Sequence, residues 1–156
     1  ASAGGYPKDI NFYQATKAHM NAVFATKPGG IMILVMECPD ISEPPEFAEA
    51  FGRRDTSAAE QDLRQHFTIG AFSAYKTQEI IESMRAVFVV TERKNFDIMK
   101  QSGQIPVESL EEAWQAANAI LAEDGKEDYT IALMPYAAST LPVIKKTREE
   151  IEYDIE

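Results

Sequence analysis

Tyr13, Gln14 and Lys17 are the residues of this chain whose types and spacing could do chemistry together. On a helix, residues three and four apart share a face, so Gln14 and Lys17 are neighbours and Tyr13 stands one turn before Lys17. A cation, an amide and a phenol that converge in this way can hold a small carboxylate or phosphate. Just upstream runs Gly4-Gly5-Tyr6-Pro7-Lys8-Asp9. Paired glycines let the backbone take positive φ and approach another group closely, and Pro7 prevents a helix from starting early. The pattern predicts a turn at Gly4 and Gly5, then a helix from Ile10 to about Ala25 with Asp9 as its N-cap. The free N–H groups and partial positive charge at that helix start favour an anion, and Lys17 adds a full charge nearby. The same residue types also build an ordinary surface helix with a solvated lysine, and spacing alone does not separate the two.

Positioning such a face takes a scaffold, and 156 residues supply one domain with a single sizeable core. Hydrophobic residues make up 45% of the chain, yet no apolar run approaches the length of a membrane span. A net charge of −10 opposes binding to a nucleic-acid backbone or an anionic membrane. Cys38 is the single cysteine, which excludes an internal disulfide and a thiolate zinc cage and suits a cytoplasmic, reducing setting. His19 and His66 are not at metal spacing; His19 reads as a partly buried structural residue and His66 as an exposed one.

Along the chain, apolar runs alternate with helical periodicity. Ile31 to Met36 is a continuous apolar run bounded by Lys27-Pro28-Gly29-Gly30, which reads as a strand buried on both faces. Glu37, Cys38, Pro39 and Asp40 fall at its C-terminal end, where open α/β sheets place ligands. A buried thiol and solvated carboxylates account for these residues equally simply. Ser42 or Glu43 marks the start of a helix that ends at Gly52, and 53–59 reads as a polar loop. Helices follow over 59–67 and, after a break at 68–72, from Phe72 to Met84. Ala86 to Thr91 is a β-branched strand, Asn95 to Gln101 a short helix, and Ser109 with Glu112 a capping box for a helix carrying Trp114 on its core side or seam. Tyr129 to Met134 is predicted as the third strand, and 145–156 as a charged tail. Strand and helix alternation predicts an α/β fold, a three-layer sandwich with a small, mostly parallel sheet flanked by helices. Ala1 to Gly4 reads as the end of a further strand whose beginning lies ahead of this sequence.

Gly-Gly-Tyr-Pro-Lys-Asp, followed by Tyr-Gln-Ala-Thr-Lys, resembles the C-terminal domain of the nickel-dependent lactate racemase family. The likeness extends through Lys27-Pro28-Gly29-Gly30, Glu37-Cys38, the strand around Val87 to Thr91, and Thr140-Leu141-Pro142. Two departures stand out: Asp40 runs directly into Ile41 where relatives often carry a glycine, and Tyr136-Ala137 replaces an acidic residue and a glycine. The resemblance implies racemisation or epimerisation of a 2-hydroxy acid by hydride transfer with a nickel-pincer nucleotide. It also implies that 1–144 is one domain, that the cofactor and the acid/base histidines belong to a preceding N-terminal domain, and that this domain alone binds no cofactor. Lys17 would take the substrate carboxylate, Gln14 would donate a hydrogen bond and Tyr13 would form a wall or donor. Gly4, Gly5, Phe72 and Tyr75 would complete the pocket.

Two other classes remain open. A non-catalytic α/β domain could hold a small anionic or phosphorylated ligand at the Gly4-Gly5 turn and helix N-terminus, although neither G-x-G-x-x-G nor a P-loop occurs. A structural domain would bind nothing. A domain that docks on a partner should expose an apolar patch. The substrate within its class and the oligomeric state, a homo-oligomer included, are not written in these residues.

Overall fold

The computed structural model describes residues 1–40, 43–51 and 56–143. Its centre is a parallel sheet of β1 (Ile31–Val35), β2 (Ala86–Val90) and β3 (Ile105–Val107), in that spatial order. Ile31 to Val35 pair in register with Ala86 to Val90, and Phe88 to Val90 with Ile105 to Val107. Successive side chains in a strand point to opposite faces, and both faces of this sheet are apolar. Met32, Leu34, Val87 and Val89 point into the larger core, with Phe12, Ala15 and Ala18 of α1 (Phe12–Ala22) and Ala74 and Ile81 of α4 (Ile69–Ser83). Ala86 and Phe88 point the other way, to Ala113 and Ala117 of α6 (Leu110–Glu123). The three-layer α/β arrangement expected from the alternation is the one observed.

α2 (Pro45–Ala50) and α3 (Thr56–Gln65) lie over the α1 and α4 layer, and α5 (Phe96–Gln101) leads into β3. Phe12 joins α1 to α2 through Phe47, edge-on at 5.2 Å, and through Phe51, stacked at 5.4 Å. Gly70 lets α4 approach α2, since a Cβ there would stand 3.3 Å from the Phe47 nitrogen. Below Phe12, His19 is fully buried rather than partly so, with Nε2 bonded to Gln104 Oε1 at 2.7 Å.

Several expectations are corrected. The segment 68–72 is no break: Thr68 caps α4, its Oγ1 accepting from Ala71 N–H, so the helix begins at Ile69. Thr56 to Ala59, read as loop, is the first turn of α3. Glu43 does not start α2, which opens on Pro44 and Pro45. Trp114 is 40% exposed, and the alanines Ala113 and Ala117 face the core instead. Tyr129 to Met134 is not the third strand. Only Met134 of that run is buried, and its carbonyl accepts from Ser2 N–H at 2.8 Å. The third strand is Ile105–Val107, whose short length and Pro106 hide it in the sequence; an edge strand tolerates the missing donor. The expectations for Ser42, Gly52 and 145–156 lie outside the described residues.

Candidate functional site

Gly4 and Gly5 have φ of 103° and 76°, the positive values anticipated for the turn. Beyond the turn, Asp9 is not the N-cap of α1. Asn11 is, its Oδ1 accepting from Gln14 N–H at 2.9 Å. Asp9 instead fastens the turn to the end of β1: its carbonyl accepts from Cys38 N–H at 3.0 Å and its Oδ2 from Glu37 N–H at 3.2 Å. Asp40 N–H continues the attachment by donating to the Ile10 carbonyl at 2.9 Å. The site turn is thereby tied to the sheet edge where α/β proteins bind ligands.

The helix start expected to attract an anion already holds one. Glu43 Oε1 accepts from Phe12 N–H at 2.7 Å and Oε2 from Tyr13 N–H at 2.9 Å. Burial pushes the Glu43 carboxyl up, while these two N–H groups pull it back towards the charged form. Glu43→Ala should cost about 1 kcal/mol, the usual size of a lost cap. A shift of the urea midpoint measures this, and Glu43→Gln, which keeps one acceptor, should cost less. An unchanged midpoint in the alanine variant would mean that water replaces the carboxylate without loss.

One turn further on, Lys17 Nζ donates to Gln14 Oε1 at 2.6 Å on the exposed face of α1. The amide thus holds the ammonium in place, and the remaining N–H groups of the exposed ammonium are open to an ion-paired hydrogen bond with a carboxylate. Tyr13 is half-buried, edge-on to Phe47 at 5.3 Å. Its ring is fixed by packing and forms a wall. Asn21, on the same face one turn beyond Lys17, donates from Nδ2 to the Ala137 carbonyl at 2.7 Å, drawing the loop with Tyr136 onto α1. Tyr136 covers Gly4, where a Cβ would meet its Cδ1 at 3.3 Å.

Phe72 and Tyr75 stand differently. Phe72 packs on Phe67, with ring centroids 5.8 Å apart, and Tyr75 donates to Glu79 Oε1 at 3.0 Å. Tyr75 also lines a hollow of about 170 Å³ between α2, α3 and α4, together with Glu46, Glu49, Asp62 and His66. That hollow includes neither Tyr13, Gln14 nor Lys17.

At the end of β1, Cys38 is buried and takes φ of 51°. A non-glycine residue holds this conformation only when its surroundings fix it. Asn95 does so, donating from Nδ2 to the Glu37 and Cys38 carbonyls, each at 3.1 Å, and to Thr91 Oγ1 at 3.0 Å. Burial, then the negative charges of Glu43, Asp9 and Glu37, push the Cys38 thiol far up, so it is a packed, protonated group and no nucleophile. Asn95 and Glu43 escape sequence reasoning because their partners lie 58 and 31 residues away along the chain.

The described residues of this chain do not fit a nickel centre. Among the described residues no group of three or more His, Cys, Asp or Glu could hold a metal ion. His19 has Nε2 committed to Gln104, and the Cys38 thiol is buried and protonated.

Fold and site together define an α/β domain with a glycine turn and a lysine-bearing helix at the C-terminal edge of a parallel sheet. The chain belongs to the lactate racemase C-terminal domain family, whose sequence model matches residues 1–141. It is 28% identical over 131 residues to the lactate racemase of Thermoanaerobacterium thermosaccharolyticum, covering 80% of this chain and 30% of that protein. It is also similar to the solved structure of the lactate racemase apoprotein from that organism, with a TM-score of 0.69 and 29% identity over 79% of this chain and 30% of the other. The chain therefore spans less than a third of the length of these relatives. No helix among the described residues is long and apolar enough to cross a membrane.

Proposed function

We propose that this chain is the substrate-clamping domain of a lactate-racemase-like enzyme, with Lys17 binding the carboxylate of a 2-hydroxy acid and Gln14 donating a hydrogen bond to it. The observation that carries this reading is the exposed Lys17–Gln14 contact at 2.6 Å, on a helix tied to the C-terminal sheet edge. Tyr13 and the Gly4-Gly5 turn border the place where the acid would lie. In the resembled family the hydride chemistry would be supplied by a nickel-pincer nucleotide held by a preceding domain. The part of this chain is binding and orientation, which lowers the barrier by fixing a reactive geometry. The exposed Phe67, Ile69 and Phe72 supply an apolar surface of the kind a docked partner domain covers. The cytoplasmic setting belongs to the same proposal.

The alternative of an anion held at the helix N-terminus loses support from Glu43, which satisfies Phe12 and Tyr13 N–H from within the chain.

The test is a titration of this chain with sodium lactate, followed by NMR of the Gln14 side-chain amide and the Lys17 methylenes. Saturable shifts at both, lost in Lys17→Ala, are expected. Shifts confined to Phe12 and Tyr13 amides would move the anion to the helix start and overturn the reading. The chain alone should not interconvert D- and L-lactate; turnover by it would show that the catalytic groups lie here after all.

A further inference from the structure

Lys17 stands between two flanks built from different parts of the chain. At 3.6 residues per turn, Tyr13 and Asn21 each lie about 40° round α1 from Lys17, one on either side. Tyr13 packs towards α2, edge-on to Phe47 at 5.3 Å. Asn21 reaches the opposite way and donates from Nδ2 to the Ala137 carbonyl at 2.7 Å. The flank beyond Asn21 is therefore the loop that carries Tyr136. Gln14, about 60° round the helix from Lys17, is turned towards that same flank.

The loop is pinned along its backbone. Ala137 is fully buried, and its N–H donates to the Ser2 carbonyl at 2.8 Å. The Tyr136 carbonyl accepts from Ser139 N–H and from Thr140 Oγ1, each at 2.9 Å. The ring of Tyr136 is placed by these bonds but takes no part in them. It is 66% exposed, and it lies low over the turn because Gly4 has no side chain: a Cβ there would meet its Cδ1 at 3.3 Å. An ordered loop thus leaves an aromatic face in water beside the lysine, where an apolar group laid against it would gain by burial.

We propose that Tyr136 determines specificity at this site: its ring receives the C2 side chain of the bound acid. The preferred ligands are then 2-hydroxy acids that carry an aromatic or large aliphatic group, not the methyl of lactate. This rests on the clamp reading above, which fixes the carboxylate on Lys17. With that end held, the rest of the acid lies between the rings of Tyr13 and Tyr136. A methyl covers little of either ring, whereas a phenyl group packs on them in the offset or edge-on arrangements that aromatic pairs prefer. A second carboxylate is disfavoured there, because Glu43, Asp9 and Glu37 outnumber Lys94 around Cys38 at the adjacent sheet edge. Because the loop is already ordered, the contact demands little further ordering of the protein.

The experiment titrates this chain with sodium lactate and with sodium phenyllactate. NMR follows the Gln14 side-chain amide, the Lys17 methylenes and the Tyr136 ring protons. Both acids are expected to shift Gln14 and Lys17, while phenyllactate alone shifts the Tyr136 ring and binds about tenfold more tightly. Tyr136→Ala, a change at an exposed side chain, should cut that preference to about twofold, and Tyr136→Phe, which keeps the ring, should retain it. Equal affinities for the two acids, or a preference that survives Tyr136→Ala, would overturn the proposal and leave the clamp standing. Phenyllactate shifts centred on Phe67 and Phe72 would overturn it too, since the ligand would then lie on a different apolar surface. Silence of Gln14 and Lys17 towards both acids would defeat the clamp reading itself, and this inference with it.

Discussion

Lys17→Ala is expected, on the clamp reading proposed above, to lower kcat/KM for a 2-hydroxy acid by about one to two orders of magnitude in an enzyme that carries this domain, with any bound nickel unchanged. The ammonium is exposed and steadied by Gln14 Oε1 at 2.6 Å, so it stands ready for an incoming carboxylate. One charge-assisted hydrogen bond is worth about 1.5 to 3 kcal/mol, which corresponds to that range in rate. A rise in KM with constant kcat would mean that Lys17 binds substrate and transition state equally; an equal fall in kcat and kcat/KM would mean that it grips only in the transition state. Gln14→Ala should have the smaller effect, because it removes a neutral donor and frees the lysine. Loss of nickel on replacing Lys17 would place that residue at the cofactor and defeat the substrate assignment. Unchanged kinetics would remove Lys17 from the site altogether.

The second large effect concerns acid stability. His19 is fully buried, and burial pushes its imidazole down to about 4 from 6.5, against the weaker upward pull of Gln104 and of the Ala15 carbonyl one turn back. Its Nδ1 makes no hydrogen bond of good geometry, so a proton added there would be held only weakly. The sign follows from proton counting. Between pH 6.5 and about 4 the unfolded chain binds a proton at His19 that the folded chain refuses, so stability is full above 6.5 and falls as the pH drops towards 4. The gap corresponds to about 3 kcal/mol, a large fraction of the stability of an ordinary domain. Glu43 acts in the opposite sense: burial raises its carboxyl, so the fold gains as pH falls through that group. Comparing the urea-derived stability of the parent and of His19→Gln at pH 7 and pH 4.5 isolates the histidine. The variant should lose much of the pH slope whatever its stability at pH 7. An unchanged slope would assign the acid sensitivity to the carboxylates.

The sequence by itself determined the layer architecture and which polar residues share a face of α1. Continuous apolar runs at Ile31 and Ala86, short and bounded by turn signals, read as strands covered on both sides, and the helical spacing of Gln14 and Lys17 places them on one face wherever the helix goes. The glycine pair required positive φ, and Gly4 and Gly5 have it. These features are local, fixed by periods of two and of about 3.6 residues and by backbone sterics. Ser109 and Glu112 were legible as a cap for the same reason, with Glu112 N–H donating to Ser109 Oγ.

Only the tertiary structure decided which acid caps which helix. Asp9 has a capping residue's chemistry, yet the end of β1 competes for its carboxylate and carbonyl, leaving the cap to Asn11. Glu43 immediately precedes α2 in the chain yet fills the start of α1, a partner 31 residues away. The strand assignments divide on the same ground. Tyr129 to Met134 has the better strand composition, but a strand exists only where a neighbour pairs with it, and Pro106 sits beside β2 while Ile131 faces water. Pairing is a property of what lies alongside in space, so composition cannot report it. The shared face of Gln14 and Lys17 was visible from spacing; that the turn before α1 is tied to the end of β1, with the loop of Tyr136 drawn over Gly4, came from contacts that no local period encodes.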